Sequence, residues 1–358
     1  MKQRSVLLAL CCTVLLWVVA CADMGGGAAN GTNALPPTPL VWPKPPEAER
    51  IRLVQVVSTP RDWGITRSFW RRLADALSGR AEDALQRPSA VAERAGVLYV
   101  ADPGAAALWI FDAPRDRAIR VTQVGEQGLA SPVSLALGPQ DGVFVADTAL
   151  KKVFLLDRDG QLVRTFETQG LERPAAVVWD DHTHRLFVLD SLRHRVTVFD
   201  GNGALLRHMG ESGNQGGQFN RPTHMALDTS DHLGNLLITD ALNFRVQAIN
   251  PQGGLLWKFG QNGNGSGDFA APKGLATDQE GHLYVVDALF ELVQIFNRQG
   301  QLLLAFGGRG NGVGQFMLPR GVFVSAQDKV YVADTYNQRI QVFLGALASR
   351  EAVKEGVK

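Results

Sequence analysis

The sequence has few cysteines and no long apolar run beyond its first twenty residues. Its three cysteines, Cys11, Cys12 and Cys21, all precede the part of the chain that has strand-like patterning. This distribution excludes a disulfide-stapled fold, a cysteine nucleophile within the domain and a cysteine-based metal site. The one long apolar stretch, residues 6–20, is too short for a comfortable transmembrane helix.

An excess of charge of one sign is also missing. The chain has 36 Lys and Arg against 35 Asp and Glu, for a formal net charge of +1. A near-neutral chain lacks the positive field of nucleic-acid-binding domains, so we predict no nucleic-acid partner. The glycine-rich residues 263–267 join two strand-like segments and open no helix, so dinucleotide binding is unsupported and no cofactor is predicted.

The first fifty residues are predicted to lie outside the fold. Lys2 and Arg4 precede the apolar run, and residues 1–20 are typical of a signal peptide. The run ends in Val-Val-Ala-Cys at residues 18–21, which resembles the lipobox of bacterial lipoproteins. The resemblance implies that Cys21 is lipidated. An ordinary secretory signal with an incidental cysteine is the alternative.

Residues 21–50, rich in glycine and proline, are predicted to form a flexible tether after the anchored cysteine. We therefore expect an extracytoplasmic protein that is lipid-anchored to a bacterial membrane. Ala22 follows the cysteine, which by the same resemblance points to the outer membrane where two membranes are present.

A passage that ends in aspartate recurs six times along the rest of the chain, with successive aspartates 43 to 50 residues apart. The aspartates are Asp102, Asp147, Asp190, Asp240, Asp287 and Asp334. A full repeat contains four strand-like segments, the first opened by a proline; in four repeats the last is preceded by a tight turn that ends in glycine. A period of about 40 to 50 residues with four short strands predicts a β-propeller. The fold class is all-β, a six-bladed propeller of four-stranded antiparallel blades over residues 51–345.

Two departures from the repeat carry predictions of their own. The sixth repeat stops after its third strand, and residues 346–358 form a polar tail, whereas residues 51–57 form an orphan strand before the first repeat. We predict that this strand closes the ring, since an open ring leaves unpaired edges. Residues 66–78 carry apolar side chains at helical spacing and predict one short inserted helix, placed by chain order on the face with the long loops as a partial lid.

Several segments resemble the core of the NHL repeat. They are residues 240–247, residues 334–341 and the preceding Gly-Gln-Phe-Met-Leu-Pro-Arg-Gly of residues 314–321. The resemblance covers roughly residues 51–345, although the first repeat lacks the arginine and the fifth has Leu292 in its place. It implies a binding or scaffold propeller that recognises a protein, a peptide or a glycan without chemistry. The alternative is a metal-dependent propeller lyase or lactonase with a metal near His224.

The long connections between blades and the turns between second and third strands should collect on one face, here called the loop-rich face. Basic residues flank the opening prolines there. With one histidine, these are the predicted ligand-binding residues: Arg87, Arg173, Arg221, His224, Lys273 and Arg320. Such a rim could recognise carboxylates, phosphates or acidic glycans, which makes an anionic partner the expected class. The alternative is that each arginine pairs with an acid of a neighbouring blade.

Other repeated side chains allow two interpretations. The six aspartates could coordinate a cation, or could accept backbone N–H bonds or pair with the arginine five residues on, as in Asp190 with Arg195. Phe219, Phe269 and Phe316 could form an aromatic platform for a ligand or could wedge between blades, and the structural interpretation is favoured in both cases. Only His194 and His224 should lie near the loop-rich face, so no catalytic residue and no metal site are predicted.

Overall fold

The structure, a computed structural model, describes residues 34–66, 83–167, 170–228, 230 and 233–345. Antiparallel sheets of short, mostly buried strands form the six blades. The strands of each blade are given from the channel outward. Blade 1 consists of Ala90–Arg94, Val97–Asp102, Ala107–Asp112 and Arg117–Val121, blade 2 of Pro132–Leu137, Val143–Asp147, Lys152–Leu156 and Leu162–Phe166, and blade 3 of Pro174–Asp180, Arg185–Asp190, Arg195–Asp200 and Leu205–Met209. Blade 4 consists of His224–Leu227, Leu236–Asp240, Arg245–Ile249 and Leu255–Phe259, blade 5 of Pro272–Thr277, Leu283–Asp287, Leu292–Phe296 and Leu302–Gly307, and blade 6 of Val322–Val324, Lys329–Asp334 and Arg339–Gly345.

Blade 6 is completed by the N-terminal strand, as predicted. Ile51–Val57 pairs antiparallel with Arg339–Gly345, with Ile51 opposite Gly345 and Val57 opposite Ile340. The all-β, six-bladed fold and its closure by the N-terminal strand are thus confirmed. A fifth strand, Val41–Trp42, pairs with the closing strand and extends the sheet of this blade.

The turns between third and fourth strands explain the repeated glycines. Gly160, Gly203, Gly253 and Gly300 have φ between +75° and +94°, a region that glycine reaches without a steric penalty. In each case the ladder of the following pair shifts by one residue close to the turn. This is the glycine-dependent bulge that the turn sequences predict.

The first, innermost strand of each blade starts at the loop-rich face, and the second strand returns to it. The turns between first and second strands and between third and fourth strands therefore lie on the opposite face. A short hairpin of Gln123–Val124 with Gln127–Gly128 lies in the connection from blade 1 to blade 2. Three 3-10 turns complete the regular structure of the described chain: Pro60–Trp63, Ala113–Arg115 and Ala241–Asn243.

Most of the predicted inserted helix, residues 67–78, lies outside the described residues. The chain before it does not stay on the loop-rich face. Trp63 donates from Nε1 to the carbonyl oxygen of Gly96 (3.0 Å), and Thr66 donates from its backbone to Asp116 (2.7 Å). Gly96 and Asp116 belong to turns on the opposite face of blade 1, so Thr66 lies away from the channel mouth that a lid would cover.

The predicted tether also differs in part from the structure. Leu40 and Trp42 pack against the apolar cluster between blades 5 and 6. The Trp42 ring lies 6.1 Å from that of Phe306 and 5.8 Å from that of Phe343. The residues around the short strand at 41–42 are therefore part of the blade and not a free linker.

Apolar clusters between neighbouring blades form the core. One cluster joins side chains of blades 3 and 4, including Phe187, Phe219 and Ile249, each of which is fully buried. Because each second strand buries both faces against adjacent blades, its sequence is continuously apolar and not alternating. This packing fixes the innermost strands around a central channel.

Candidate functional site

The central channel holds a cavity. It has a volume of about 780 Å³ and is lined by innermost strands of all six blades. Its wall is divided evenly between polar and apolar surface. Leu135, Val177 and Leu275 are among its apolar lining residues, and His224 is the one predicted site residue that lines it. The size lies within the range of about 300–1,000 Å³ that small-molecule pockets occupy.

Short contacts between innermost strands bring three of the predicted residues to the mouth of this channel. Thr223, next to His224, donates from Oγ1 to the carbonyl oxygen of Pro272 (3.3 Å), which precedes Lys273. Gly274 donates from its backbone N–H to the carbonyl oxygen of Arg320 (2.8 Å). A Cβ at Gly274 would overlap that same carbonyl, so glycine is required for this approach.

The electrostatics confirm that these side chains share one environment. Burial, followed by the charges of Lys273 and Arg320, lowers the pKa of His224 to about 3, so its ring is neutral at physiological pH. Burial is also the main cause that lowers the pKa of Lys273; Arg320 and Arg173 lower it further, and the carboxylate of Asp287 opposes them. We call Arg173, His224, Lys273 and Arg320 the mouth cluster.

No member of the mouth cluster is neutralised by an ion pair within the described chain. Arg173 and Arg320 therefore do not pair with an acid of a neighbouring blade, which was the alternative interpretation. In addition, Nδ1 of His224 is buried and has no hydrogen-bond partner among the described residues.

Arg87 and Arg221 lie at the same face but are not linked to the mouth cluster by any bond. Both are exposed, as are Arg173 and Arg320, but neither acts on the pKa of His224 or Lys273. The backbone N–H of Arg87 donates to Asp102 (2.9 Å), and that of Arg221 donates to Nδ1 of His194 (3.2 Å). The structure therefore separates the six predicted residues into four that surround the mouth and two that lie on the rim.

The repeated aspartates are structural hydrogen-bond acceptors. Asp102, for example, accepts from the backbone N–H groups of Gln86 (2.7 Å) and Arg87, and so ties the connection between blades to the end of the second strand. Pairing with the arginine five residues on occurs at Asp240 and Asp334, each at 2.8 Å. These buried carboxylates hold the loops above them in place.

The predicted pair of Asp190 with Arg195 is wrong. The two residues are opposite each other in the ladder, but Nη2 of Arg195 donates to the carbonyl oxygen of Gly170 (3.2 Å). Asp190 instead accepts the backbone N–H groups of Glu172, Arg173, Leu192 and Arg193. Four backbone donors already occupy its two oxygens.

The aromatic platform is also wrong, and the packing interpretation is confirmed. Phe219, Phe269 and Phe316 are completely buried. Each lies against the glycine that opens its own loop, and a Cβ at Gly210, at Gly260 or at Gly307 would overlap the ring. The three phenylalanines therefore pin the long loops between blades and do not face a ligand.

The described histidines are spread over both faces of the propeller. Nδ1 of His194 lies 3.1 Å from the carbonyl oxygen of Phe219, to which it donates only when it carries the proton, and His282 lies on the opposite face, 2.8 Å from Asp278. His232 lies outside the described residues. Among the residues that the structure describes, no group of three or more His, Cys, Asp or Glu side chains is arranged to hold a metal ion.

One feature of the loop-rich face was missed at the sequence level. Two places after the aspartate, blades 3 to 6 each carry a large, exposed side chain, here called the apolar arc: Leu192, Leu242, Leu289 and Tyr336. Their exposed fractions are 36%, 54%, 64% and 50%. The signal was present in the repeat, since four successive units have a large apolar or aromatic residue at this one position of a surface turn.

Comparison with known proteins agrees with this architecture. A model of the NHL repeat matches residues 316–343, which contain the pinning Phe316 and the Asp334–Arg339 pair. The chain is a six-bladed β-propeller with an NHL repeat. No curated protein matches the sequence significantly.

Solved structures are similar to this propeller in fold. A streptogramin B lyase is 13% identical with a TM-score of 0.55, over 72% of this chain and 93% of its own. Virginiamycin B lyase from Staphylococcus aureus is 13% identical with a TM-score of 0.54, over 72% and 95%. A structural genomics protein of unknown function from Bacteroides thetaiotaomicron is 14% identical with a TM-score of 0.60, over 74% and 70%. At such identities the likeness shows the propeller fold alone.

The described residues include no helix that is long and apolar enough to cross a membrane. The predicted signal peptide and Cys21 lie outside the described residues.

Proposed function

We propose that this NHL-repeat propeller is an extracytoplasmic binding module, tethered to a membrane through Cys21, that recognises a protein, peptide or glycan partner through its loop-rich face. The observation that carries the proposal is the apolar arc around a mouth of unpaired cations. Exposed apolar side chains that recur on one rigid face are typical of an interaction surface. The opposite face offers mainly short polar turns.

The scaffold favours recognition because the loops on this face are held firmly. Arg245 donates to the carbonyl oxygens of Asn214 (2.6 Å), Gln215 (2.9 Å) and Gln218 (3.0 Å) while it pairs with Asp240. A loop fixed in this way loses little conformational entropy when a partner binds. Cations without ion pairs next to apolar side chains suit a partner that presents acidic groups beside apolar ones.

Site-specific photo-crosslinking in intact cells tests the binding face. A photoreactive residue at Leu242 or Leu289 should give a discrete crosslinked product. The matched control is Gln299, which is exposed in a turn on the opposite face. Equal crosslinking from Gln299, or none from the two arc positions, would show that the loop-rich face is not the binding surface.

The tether is tested separately. The wild-type protein should fractionate with membranes and incorporate a fatty-acid probe, and Cys21→Ser should abolish the labelling. Label that persists in this variant would refute lipidation at Cys21.

The alternative function is that of a metal-dependent propeller lyase or lactonase with a metal near His224. The neutral His224 with a free Nδ1 is the observation in its favour. Elemental analysis of purified protein distinguishes the two. A stoichiometric divalent metal that is lost in His224→Ala would favour the enzyme, and a folded protein that binds its partner without metal would favour the binding module.

A further inference from the structure

The positive charges of the mouth cluster repel one another. Arg320 and Lys273 repel each other strongly enough that Arg320 contributes to the lowered pKa of Lys273, and Arg173 acts in the same direction. Arg173 and Arg320 are exposed, whereas Lys273 is half-buried. Arg158, a partly buried cation elsewhere, bonds to Asp112 (2.8 and 2.9 Å). Like charges held together cost free energy; the carboxylate of Asp287 opposes this repulsion at Lys273, and a bound anion would oppose it further.

His224 adds an independent geometric observation. Its Nδ1 is buried and unpartnered among the described residues, whereas the buried hydroxyls of Ser134 and Thr277 in the same wall are bonded. Ser134 accepts from the backbone N–H of Val177 (3.2 Å), and Thr277 donates to the carbonyl oxygen of Leu227 (3.1 Å). A buried polar atom without a partner costs free energy, so a ligand that supplies the partner would recover that cost.

Below the mouth the channel changes character. The wall there combines apolar side chains such as Leu135 and Val177 with polar ones, and Arg94, Asp141 and Asp181 line the cavity with the turns of the opposite face. Charges of both signs therefore lie at that end, whereas the cations of the mouth cluster attract an anion to the loop-rich end. This polarity sets an orientation in which the charged head of a ligand stays at the mouth and an apolar body extends into the channel.

We propose that the mouth cluster and the channel form a binding site for an apolar anion, with its carboxylate or phosphate head among Lys273, Arg320 and His224 and its hydrocarbon body against the channel wall. A guanidinium matches the oxygens of either head group in a bidentate way, and the ammonium of Lys273 adds a point charge. The cavity of about 780 Å³ is large enough for a ligand of this class. The inference rests on the proposed function only in that both place recognition at the loop-rich face.

Isothermal titration calorimetry on the full chain carrying Cys21→Ser, without detergent, tests the site with four probes: decanoate, decyl phosphate, decanol and acetate. We expect decanoate or decyl phosphate to bind at least about tenfold more tightly than decanol, and about a hundredfold more tightly than acetate. The tighter of the two anions identifies the head group. Equal affinities for decanol and for both anions, or for acetate and for both, would overturn the proposal.

Variants locate the site. Lys273→Met and Arg320→Met each keep an apolar stem and should weaken anion binding about tenfold with little effect on decanol. Lys258→Met is the matched control, because Lys258 is exposed on an outer strand and its loss changes the net charge equally. Circular dichroism checks folding, and the two variants are scored separately so that a folding defect in one leaves the other informative. Unchanged affinity in a folded variant would overturn the proposal.

Anion binding in the channel and partner binding at the loop-rich face can fail independently of each other. Anion binding with no crosslink from Leu242 or Leu289 would contradict the macromolecular partner and leave the channel site. Crosslinking without anion binding would contradict the channel site alone.

Discussion

Closure of the ring by residues 51–57 predicts a sharp boundary in a series of N-terminal deletions. Removal of residues 22–39 should leave stability unchanged, since the described part of this segment is largely exposed. Removal of residues 22–50 should weaken the domain moderately. Removal of residues 22–57 should prevent the ring from closing.

The burial of the closing strand gives the magnitude of the largest effect. Ile51, Leu53, Val56 and Val57 are exposed by 0%, 4%, 5% and 0%. Burial of an aliphatic side chain of this size contributes about 1.5–3 kcal/mol, so four contribute roughly 6–12 kcal/mol. That amount is comparable with the whole stability of a typical domain, about 5–15 kcal/mol. The ladder to the third strand of blade 6 would be lost as well.

The intermediate deletion removes Leu40 and Trp42. Trp42 is half-buried and makes two aromatic contacts, with Phe306 and Phe343. Loss of a fully buried Trp costs about 3–5 kcal/mol, so we expect about 2 kcal/mol here. Urea denaturation followed by circular dichroism measures all three proteins.

Two outcomes would refute this reasoning. If deletion to residue 50 and deletion to residue 57 give the same midpoint, the N-terminal strand does not close the ring. If deletion to residue 50 matches deletion to residue 39, Trp42 contributes nothing to the blade. Trp42→Ala in the full chain is the matched control, because it should reproduce most of the intermediate effect.

Two further predictions follow from local geometry. Gly307→Ala should destabilise the domain by about 2–4 kcal/mol, because a Cβ there overlaps the ring of Phe316 at a φ of +94°. Gly308→Ala, with open space around it, should cost less. Equal urea midpoints for the two variants would contradict this expectation. Arg158→Met should cost about 2–3 kcal/mol at pH 7. Burial would raise the pKa of Asp112, but the bonds and charge of Arg158 outweigh it and hold that pKa below its ordinary value. The stabilisation is therefore present above about pH 4 and is lost as the pH falls through the lowered pKa; a cost that stays constant down to pH 2 in acid titrations would contradict this.

The propeller itself could be predicted because its strongest constraints repeat. Asp240 and its equivalents end a strand that is buried on both faces, and glycines such as Gly253 occupy turns that only a left-handed residue fits. A pattern that occurs in six repeats can still be recognised when one repeat lacks one of its residues. The missing arginine at Leu292 therefore did not obscure the blade to which it belongs.

Contacts that occur once could not be read in this way. The pairing of Val41–Trp42 with the closing strand depends on a gap between blades 5 and 6, which no property of a proline-rich segment indicates. Asp190 lacks its expected arginine partner because four backbone N–H groups occupy its oxygens. The mouth cluster was predicted as a set of positions, but its lack of counter-charges required the positions of the surrounding acids.

The contrast between these two classes of polar group supports a function at the mouth. Asp240 and Asp334 are buried and highly bonded, and each serves the scaffold by holding a loop. The half-buried Lys273, by contrast, has no ion pair in the described chain, although the carboxylate of Asp287 acts on it from a distance. Natural sequences depart from such local consistency mainly at functional sites. The unpaired cations and the unpartnered Nδ1 of His224 therefore indicate a charge that comes from outside the chain.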